Sequence, residues 1–145
     1  MKRIHHTLPF LTLLALPLSA HEGHPHVPPA LYADKLAYAP RPLPDRIVLT
    51  WRGDPATTQA VTWRTDTTIT RAVAEFAVAN EAGRTLKGES VTARTEPLTT
   101  DLSEAHYHSA EFTGLTPETL YAYRVGDGVN FSEWFHFRTA SRDGK

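Results

Sequence analysis

Apolar and polar positions alternate along most of the chain after residue 45, and this period of two predicts β-strands. Ile47, Leu49 and Trp51 alternate with Val48 and Thr50 in the first such segment. Six further segments with the same rhythm follow, at 60–63, 74–78, 90–95, 106–112, 120–125 and 133–139. Seven short strands spaced in this way predict an all-β, seven-stranded sandwich of the immunoglobulin type.

Turn-forming residues separate several of these strands. Gly-Asp-Pro at 53–55 follows the first strand, and Asn-Glu-Ala-Gly at 80–83 follows the third. Gly-Asp-Gly at 126–128 lies between the last two strands. Since Gly, Asn and Asp tolerate the backbone conformations of tight turns, this last tripeptide predicts a hairpin.

The first twenty residues have the order of features that marks a secretory signal peptide. Lys2 and Arg3 give a positive start, residues 8–18 are mostly apolar, and Ala20 is a small residue at the expected cleavage point. Two prolines within the apolar run argue against a buried helix. We therefore predict that residues 1–20 are removed and that the protein is exported, to the periplasm or the exterior of a bacterium.

The segment 21–45 holds six of the eleven prolines of the chain. Regular helices and strand ladders do not tolerate that density of proline. We predict a His- and Pro-rich tether, either extended or lying as a strap across the surface of the domain. Tyr32, Leu36 and Tyr38 are the expected anchors of such a strap.

Composition excludes several classes of function. The 145 residues include no cysteine, so disulfides, thiol catalysis and Cys-based zinc sites are excluded. The 15 basic and 16 acidic side chains give a net charge of −1, which leaves no basic face for nucleic acid. The longest apolar run is shorter than a bilayer requires, so we expect no membrane span. The sequence leaves the oligomeric state open.

One string narrows the fold. Residues 114–121 have the form G-L-x-P-x-T-x-Y, with Leu115, Pro117 and Tyr121 at the fixed positions. A tyrosine at the start of the sixth strand can bond its hydroxyl back to the preceding turn, while the leucine closes the core below it. The string resembles the fibronectin type III family, which often has a core tryptophan in its second strand, and Trp63 stands there.

A wider set of strings is more specific than this one. The strings occur in a fixed order, at 44–47, 53–65, 108, 114–121, 123–126 and 134–139. Together they resemble the N-terminal domain of purple-acid-phosphatase-like metallophosphoesterases over residues 45–140. The resemblance implies a fibronectin type III-like domain at 46–140, with 141–145 as the start of a linker.

The resemblance also implies that catalysis belongs to a second domain. In that family, motifs of the forms G-D-x-G, G-D-x-x-Y, G-N-H-E and G-H-x-H hold two metal ions, iron with zinc, manganese or iron, which activate water for phosphomonoester hydrolysis. Gly-Asp at 53–54 and at 126–127 has only the leading dipeptide, and His-Tyr-His at 106–108 lacks the preceding glycine. We therefore expect no catalytic residue and no cofactor here, and no acid phosphatase activity from this chain alone. A catalytic metallophosphoesterase domain is the expected partner if the gene continues, and the end at Lys145 is expected to mark a truncated gene or a fragment.

Three histidines lie just behind the expected cleavage point. Cleavage after Ala20 would give His21 a free α-amine, and the amine and imidazole of one residue can chelate copper, as in histidine-brace proteins. His24 and His26 supply further imidazoles, which suit copper, zinc or nickel. A periplasmic copper-binding protein that uses His21 is therefore one alternative function. The other interpretation is a polar terminus that binds metal only adventitiously.

His106 and His108 lie two residues apart on a predicted strand and therefore share a face. Since Phe112 is expected on the same inward face, we interpret His108 as a hydrogen-bonded core histidine and His106 as lying near the open end of the strand. The alternative is a metal pair whose third ligand is not identified. His136 alternates with two phenylalanines and is expected to point outwards.

A further alternative function is a stand-alone extracytoplasmic module that binds a protein or a glycan. Trp51, Trp134 and Tyr107 could form an exposed aromatic patch for such a ligand. Ordinary burial is the other interpretation, because aromatic side chains dominate the cores of small domains.

Overall fold

The computed structural model describes residues 34–79 and 88–143 of the chain. One helical turn precedes eight strands. The elements are α1 (Asp34–Ala37), β1 (Asp45–Thr50), β2 (Gln59–Thr65), β3 (Val73–Val78), β4 (Glu89–Thr92), β5 (Arg94–Thr99), β6 (Glu104–Phe112), β7 (Leu120–Gly126) and β8 (Phe135–Arg138). In the described residues, neither α1 nor any other segment forms a helix with the length and apolar character needed to cross a bilayer.

The strands form two antiparallel four-stranded sheets. The first sheet has the order β1-β2-β6-β5, and the second has the order β4-β3-β7-β8. This arrangement confirms the predicted all-β sandwich. It has eight strands where the sequence predicted seven, because the segment predicted as one strand at 90–95 changes sheets at Ala93. The N–H of Ala93 donates to the carbonyl of Ala72 over 2.9 Å, with β4 pairing to β3 before it and β5 pairing to β6 after it.

Aromatic side chains fill the space between the sheets. Trp63 of β2 and Phe112 of β6 are fully buried, and the ring of Phe112 lies 4.6 Å from that of Phe76 in β3. Phe137 of β8 stacks on Tyr121 of β7 with the ring centroids 5.5 Å apart. Burial of several such rings supplies most of the apolar contact area in a domain of this size. The core therefore joins all five of these strands across both sheets.

A bulge near the start of β1 sets which side chains reach this core. Asp45 lies opposite Arg64 of β2, but the register shifts between Asp45 and Val48. Arg46 has a φ of +51°, which non-glycine residues adopt rarely and bulges commonly require. The extra residue lets both Asp45 and Val48 face outwards, while Leu49 packs against the core. The ion pair between Asp45 and Arg64 depends on this shift.

Only residues 34–45 of the predicted tether are described. This segment contains α1, although its proline content argued against any helix, because the prolines begin again only at Pro40. Leu36 and Tyr38 are wrong as anchors, since their side chains are 69% and 53% exposed. The attachment uses main-chain carbonyls instead: Arg64 Nη1 donates to Tyr38 O over 3.1 Å, and the N–H of Asp66 donates to Arg41 O over 2.8 Å. The third expected anchor, at position 32, lies outside the described residues.

Candidate functional site

The two Gly-Asp pairs that could be compared with metal-binding motifs are both used in turns. Asp54 follows Gly53, whose φ is +110°, and its carboxylate accepts hydrogen bonds from the N–H of Ala56 and the hydroxyl of Thr57, each over 2.9 Å. These hydrogen bonds lower the pKa of Asp54 below its ordinary value. The carboxylate is therefore occupied as a turn cap.

Asp127 has the same role between β7 and β8. Its carboxylate accepts hydrogen bonds from the N–H groups of Asn130 and Val129, over 2.6 and 2.8 Å, and these bonds lower the pKa of Asp127. Since β7 and β8 pair antiparallel on either side of this loop, the predicted hairpin at 126–128 is confirmed.

The turn before β7 joins the two sheets at one end of the sandwich. The hydroxyl of Tyr121 accepts a hydrogen bond from the N–H of Thr116 over 2.9 Å. Leu115 is buried, and its N–H donates to the carbonyl of Thr57 over 3.0 Å. Pro117 lies half-buried in the same turn. The tyrosine therefore holds this turn against the start of its own strand, and Leu115 ties it to the loop after β1.

The chain leaves the sandwich at this same end, which we call the exit end (residues 53–58, 114–119 and 139–140). Thr139 is buried, and its hydroxyl donates to the carbonyl of Thr116 over 2.6 Å. The N–H of Ala140 donates to Pro55 O over 3.0 Å, and the N–H of Glu118 donates to Ala140 O over 3.2 Å. The hydrogen bonds of the two residues after β8 therefore fix the point at which the chain leaves the sandwich.

His108 is the largest polar side chain buried in the core. Its Nε2 lies 2.8 Å from the hydroxyl of Thr65, and its Nδ1 lies 2.9 Å from the hydroxyl of Thr95. The Thr65 hydroxyl also donates to the carbonyl of Asp66, so it accepts from Nε2–H, and Thr95 donates to Nδ1. Burial, and then the charge on His106, lower the pKa of His108 to about 4. His108 is thus a neutral structural bridge between β2, β6 and β5.

The other histidines do not complete a metal site in the described part of the chain. His106 donates its Nδ1–H to the carbonyl of Ile69 over 2.8 Å, and His136 is exposed on β8. Residues 34–79 and 88–143 bring together no group of three potential metal-ligating side chains. The candidate copper ligands His21, His24 and His26 lie outside the described residues.

The three aromatic residues considered as one binding patch lie apart. Trp51 follows β1 and is 70% exposed, and the last residue of β1, Thr50, pairs with Ala60 of β2. Tyr107 of β6 pairs with Arg64, which lies four residues further along β2. Trp134 precedes β8 in the second sheet. The three residues therefore do not form the single patch that was considered as one alternative, because a sequence pattern gives the face of each strand but not which sheet the strand joins.

Trp134 belongs to a separate cluster on the second sheet. The guanidinium carbon of Arg124 lies 4.7 Å from the ring centroid of Trp134 and 3.9 Å from that of Phe131. Arg124 also forms an ion pair with Glu75 of β3, with Nη2 and Oε2 2.6 Å apart. Cation–π contacts of this kind fix the cation as well as the ring. The cluster therefore ties the loop after β7 to the sheet.

Sequence reasoning missed a groove beside Trp51. At the start of β5, Arg94 pairs with Ser109 of β6, which in turn pairs with Thr62 of β2. In the next row of outward-facing residues, Glu111 of β6 has no partner in β5. The space left by the missing strand forms a groove of about 420 Å³. We call it the Trp51 groove, and the lining residues that matter below are Trp51, Arg52, Thr62, Arg94, Ser109 and Glu111. In the sequence, the feature that points to this groove is the tryptophan at the end of the first predicted strand.

The fold and the exit-end turn together define a fibronectin type III-like β-sandwich. The described residues have two antiparallel sheets, a core tryptophan in β2 and a tyrosine bonded back to the turn before β7. The family described as "Purple acid Phosphatase, N-terminal domain" matches residues 44–139 of the chain. The chain therefore belongs to this family.

No curated protein matches the chain. Among solved structures, it is similar to a computationally redesigned β-sandwich protein, with 25% identity over 68% of this chain and 95% of that one, and a TM-score of 0.44. It is similar to astrotactin-2, a vertebrate-specific, perforin-like membrane protein, with 16% identity over 70% of this chain and 22% of that one, and a TM-score of 0.48. For the sensor domain of the anti-sigma factor RsgI4 of Pseudobacteroides cellulosolvens the identity is 14%, over 67% and 97% of the two chains, and the TM-score is 0.39.

Proposed function

We propose that this protein is the non-catalytic N-terminal domain of an exported purple-acid-phosphatase-like metallophosphoesterase. The observation that carries the proposal is the family match, which spans residues 44–139 and thus nearly the whole sandwich. The parent activity is metal-dependent hydrolysis of phosphomonoesters by a second domain. A two-metal centre, iron with zinc, manganese or iron, belongs to that domain and needs several converging carboxylates and imidazoles.

The geometry of the exit end supports this role. Thr139 and Ala140 are hydrogen-bonded to the turns at 114–119 and 53–58, so the chain departs from a fixed point. A catalytic domain that follows would begin beside these turns. The point from which a following domain would extend is therefore fixed relative to the sandwich. The role of this domain is then to support and position the catalytic one.

Sequencing the source DNA and transcript beyond codon 145 tests the proposal directly. A frame that continues into G-D-x-G, G-N-H-E and G-H-x-H motifs supports it. A clean stop followed by an unrelated gene overturns it.

An activity measurement gives an independent test. The purified 145-residue product, supplied with iron, zinc and manganese, is expected to leave p-nitrophenyl phosphate intact. A longer product that includes the downstream motifs is the matched control and is expected to hydrolyse it. Turnover by the 145-residue product itself would contradict a non-catalytic role.

One observation favours a second candidate function, a stand-alone extracytoplasmic binding module. The Trp51 groove has a volume of about 420 Å³, within the range of small-ligand sites, and an exposed tryptophan at its edge. The clean-stop outcome of the DNA experiment would favour this module. The two functions are compatible if the groove stays open in a longer enzyme.

A further inference from the structure

We propose that the Trp51 groove binds a neutral oligosaccharide through one or two pyranose rings. The inference does not rest on the proposed phosphatase role, since every residue that carries it lies in the sandwich. Three properties of the groove lead to it: an exposed aromatic side chain next to an anchored backbone, small hydroxyl side chains in a largely apolar floor, and charges that are already paired.

The aromatic wall is held in place from both sides of Trp51. The buried side chain of Gln59 donates its Nε2–H to the carbonyl of Thr50 over 2.8 Å. On the other side, the hydroxyl of Thr58 donates to the carbonyl of Asp54 over 2.8 Å and lies 3.3 Å from the carbonyl oxygen of Arg52. An exposed tryptophan on an anchored backbone loses little conformational freedom when a ligand stacks on it. The bond of the buried Gln59 side chain thus holds the backbone immediately before Trp51.

The floor of the groove is mixed, with small hydroxyl side chains beside apolar ones such as Ala60 and Val91. Thr62 of β2 and Ser109 of β6 lie opposite each other, and Arg94 of β5 completes their row. Ala60, in the next row, is small and therefore leaves the floor open. A flat apolar ring beside hydroxyl groups suits a ligand with one apolar face and a rim of hydroxyls. A pyranose ring has this amphipathic character.

The charges of the groove favour an uncharged ligand. Arg52 Nε lies 3.0 Å from Glu111 Oε1, and Arg94 Nη2 lies 2.7 Å from Glu96 Oε1. Each guanidinium is thus neutralised by a carboxylate, and an incoming phosphate or carboxylate would meet a negative partner. Each guanidinium has five N–H donors, so most remain available to sugar hydroxyls. Neutral glycans therefore fit better than nucleotides or anionic polymers.

An extended polypeptide is a less suitable occupant. β6 pairs with β5 only as far as Ser109 and continues to Phe112, so a short length of its edge borders the groove. Three residues are at the lower limit of strand length, and the ladder that an added peptide could form there is correspondingly short. The side-chain chemistry of the groove therefore decides in favour of a sugar.

The test is titration of the ¹⁵N-labelled protein, without its predicted signal peptide, by two-dimensional ¹H–¹⁵N NMR. The probes are cellohexaose, laminarihexaose, maltohexaose, mannohexaose, xylohexaose and chitohexaose, each up to about 10 mM, well above the Kd of a millimolar site. At least one probe is expected to shift the Trp51 indole N–H and the amides of Thr62 and Ser109 in a saturable way. The indole N–H groups of Trp63 and Trp134 are expected to stay in place.

Variants separate a site from non-specific contact. Trp51→Ala is expected to weaken binding at least about tenfold, and Trp134→Phe, which changes the other accessible tryptophan, is expected to leave it unchanged. No saturable shift with any probe overturns the proposal, as does binding that survives Trp51→Ala. A soluble peptide of alternating threonine and lysine, which favours an extended conformation, is titrated in the same way. If it shifts the amide signals of residues 110–112 and no sugar does, the groove accepts a polypeptide and the proposal is wrong.

Discussion

Trp63 packs against His108 with the two ring centroids 5.3 Å apart, and both side chains are fully buried. This contact places a buried, titratable imidazole directly beside the apolar core. The ring is neutral because burial opposes its protonation, and two threonine hydroxyls satisfy both of its nitrogens. The stability of the fold is therefore linked to pH through this residue.

We predict that acid weakens the fold through His108. Its pKa falls from an ordinary 6.5 to about 4 on folding, so between these values the unfolded chain binds more protons than the folded one. The stabilising effect is complete above pH 6.5 and is lost as the pH falls towards 4, by about 3 kcal/mol in all. Urea denaturation at several pH values between 4 and 7 measures this loss.

The control for the pH experiment is a pair of histidine variants. His108→Gln removes the titrating group, and its free energy of unfolding is expected to change less between pH 7 and pH 4 than that of the unaltered protein. His136→Gln removes an exposed histidine and is expected to leave the pH dependence unchanged. An unaltered pH dependence in His108→Gln would contradict the assignment to His108.

We predict that Tyr121→Phe destabilises the sandwich by about 1 kcal/mol, the typical effect of one lost hydrogen bond. The variant leaves the N–H of Thr116 without its 2.9 Å acceptor but keeps the buried ring. Tyr107→Phe is the matched control, since the Tyr107 hydroxyl makes no hydrogen bond to the described residues. Equal denaturation midpoints for the two variants would show that the exit-end turn does not depend on Tyr121.

We predict that Asp45→Ala costs about 2 kcal/mol and loosens the segment before β1. The Arg64 side chain is only 7% exposed, and Asp45 accepts its Nε–H over 2.8 Å. Removing Asp45 leaves the guanidinium with a smaller set of partners, and the partial exposure of Asp45 moderates the cost. Faster hydrogen exchange at the N–H of Asp66, which binds Arg41 O, would report the loosening.

Glu96→Ala is the control for this ion pair. It removes the carboxylate from Arg94, and both of these side chains are well exposed. Exposed pairs contribute little, so the expected change is below about 1 kcal/mol. A larger loss in Glu96→Ala than in Asp45→Ala would contradict the ranking by burial.

We predict that Gly126→Ala is more destabilising than Gly128→Ala. A Cβ at position 126 would clash with the carbonyl oxygen of Asn130, so the loop backbone must shift. Position 128 has open space, and its φ of +95° adds only local strain, about 1 kcal/mol. Thermal unfolding of both variants measures the order, and a lower Tm for Gly128→Ala would contradict it.

The sequence predicted the layers of the fold because burial follows strand alternation. Trp63 and Phe112 lie on inward positions of β2 and β6, as period two requires. The sequence did not reveal the change of sheet at Ala93, because one residue between two alternating runs leaves the period unbroken. The same limit hid the separation of Trp51 from Trp134.

Features that depend on main-chain geometry could also not be predicted from the alternation of apolar and polar residues. The bulge at Arg46 and the attachment of Tyr38 through its carbonyl use backbone atoms that every residue has. The Trp51 groove arises because the pairing of β5 with β6 stops at Arg94 and Ser109, so Glu111 has no partner in β5, and only the pairing registers reveal this. Side-chain chemistry was therefore predictable where it followed strand parity and unpredictable where it depended on which strands are neighbours.

The position of β5 at the edge of the first sheet has a consequence for aggregation. Pro97 lies in the middle of β5, opposite His106, and a proline has no N–H to offer to another strand. At the opposite edge of this sheet, β1 is interrupted by the Arg46 bulge. Both edges of the first sheet are thus poor templates for a strand from another molecule, which disfavours edge-to-edge pairing through this sheet.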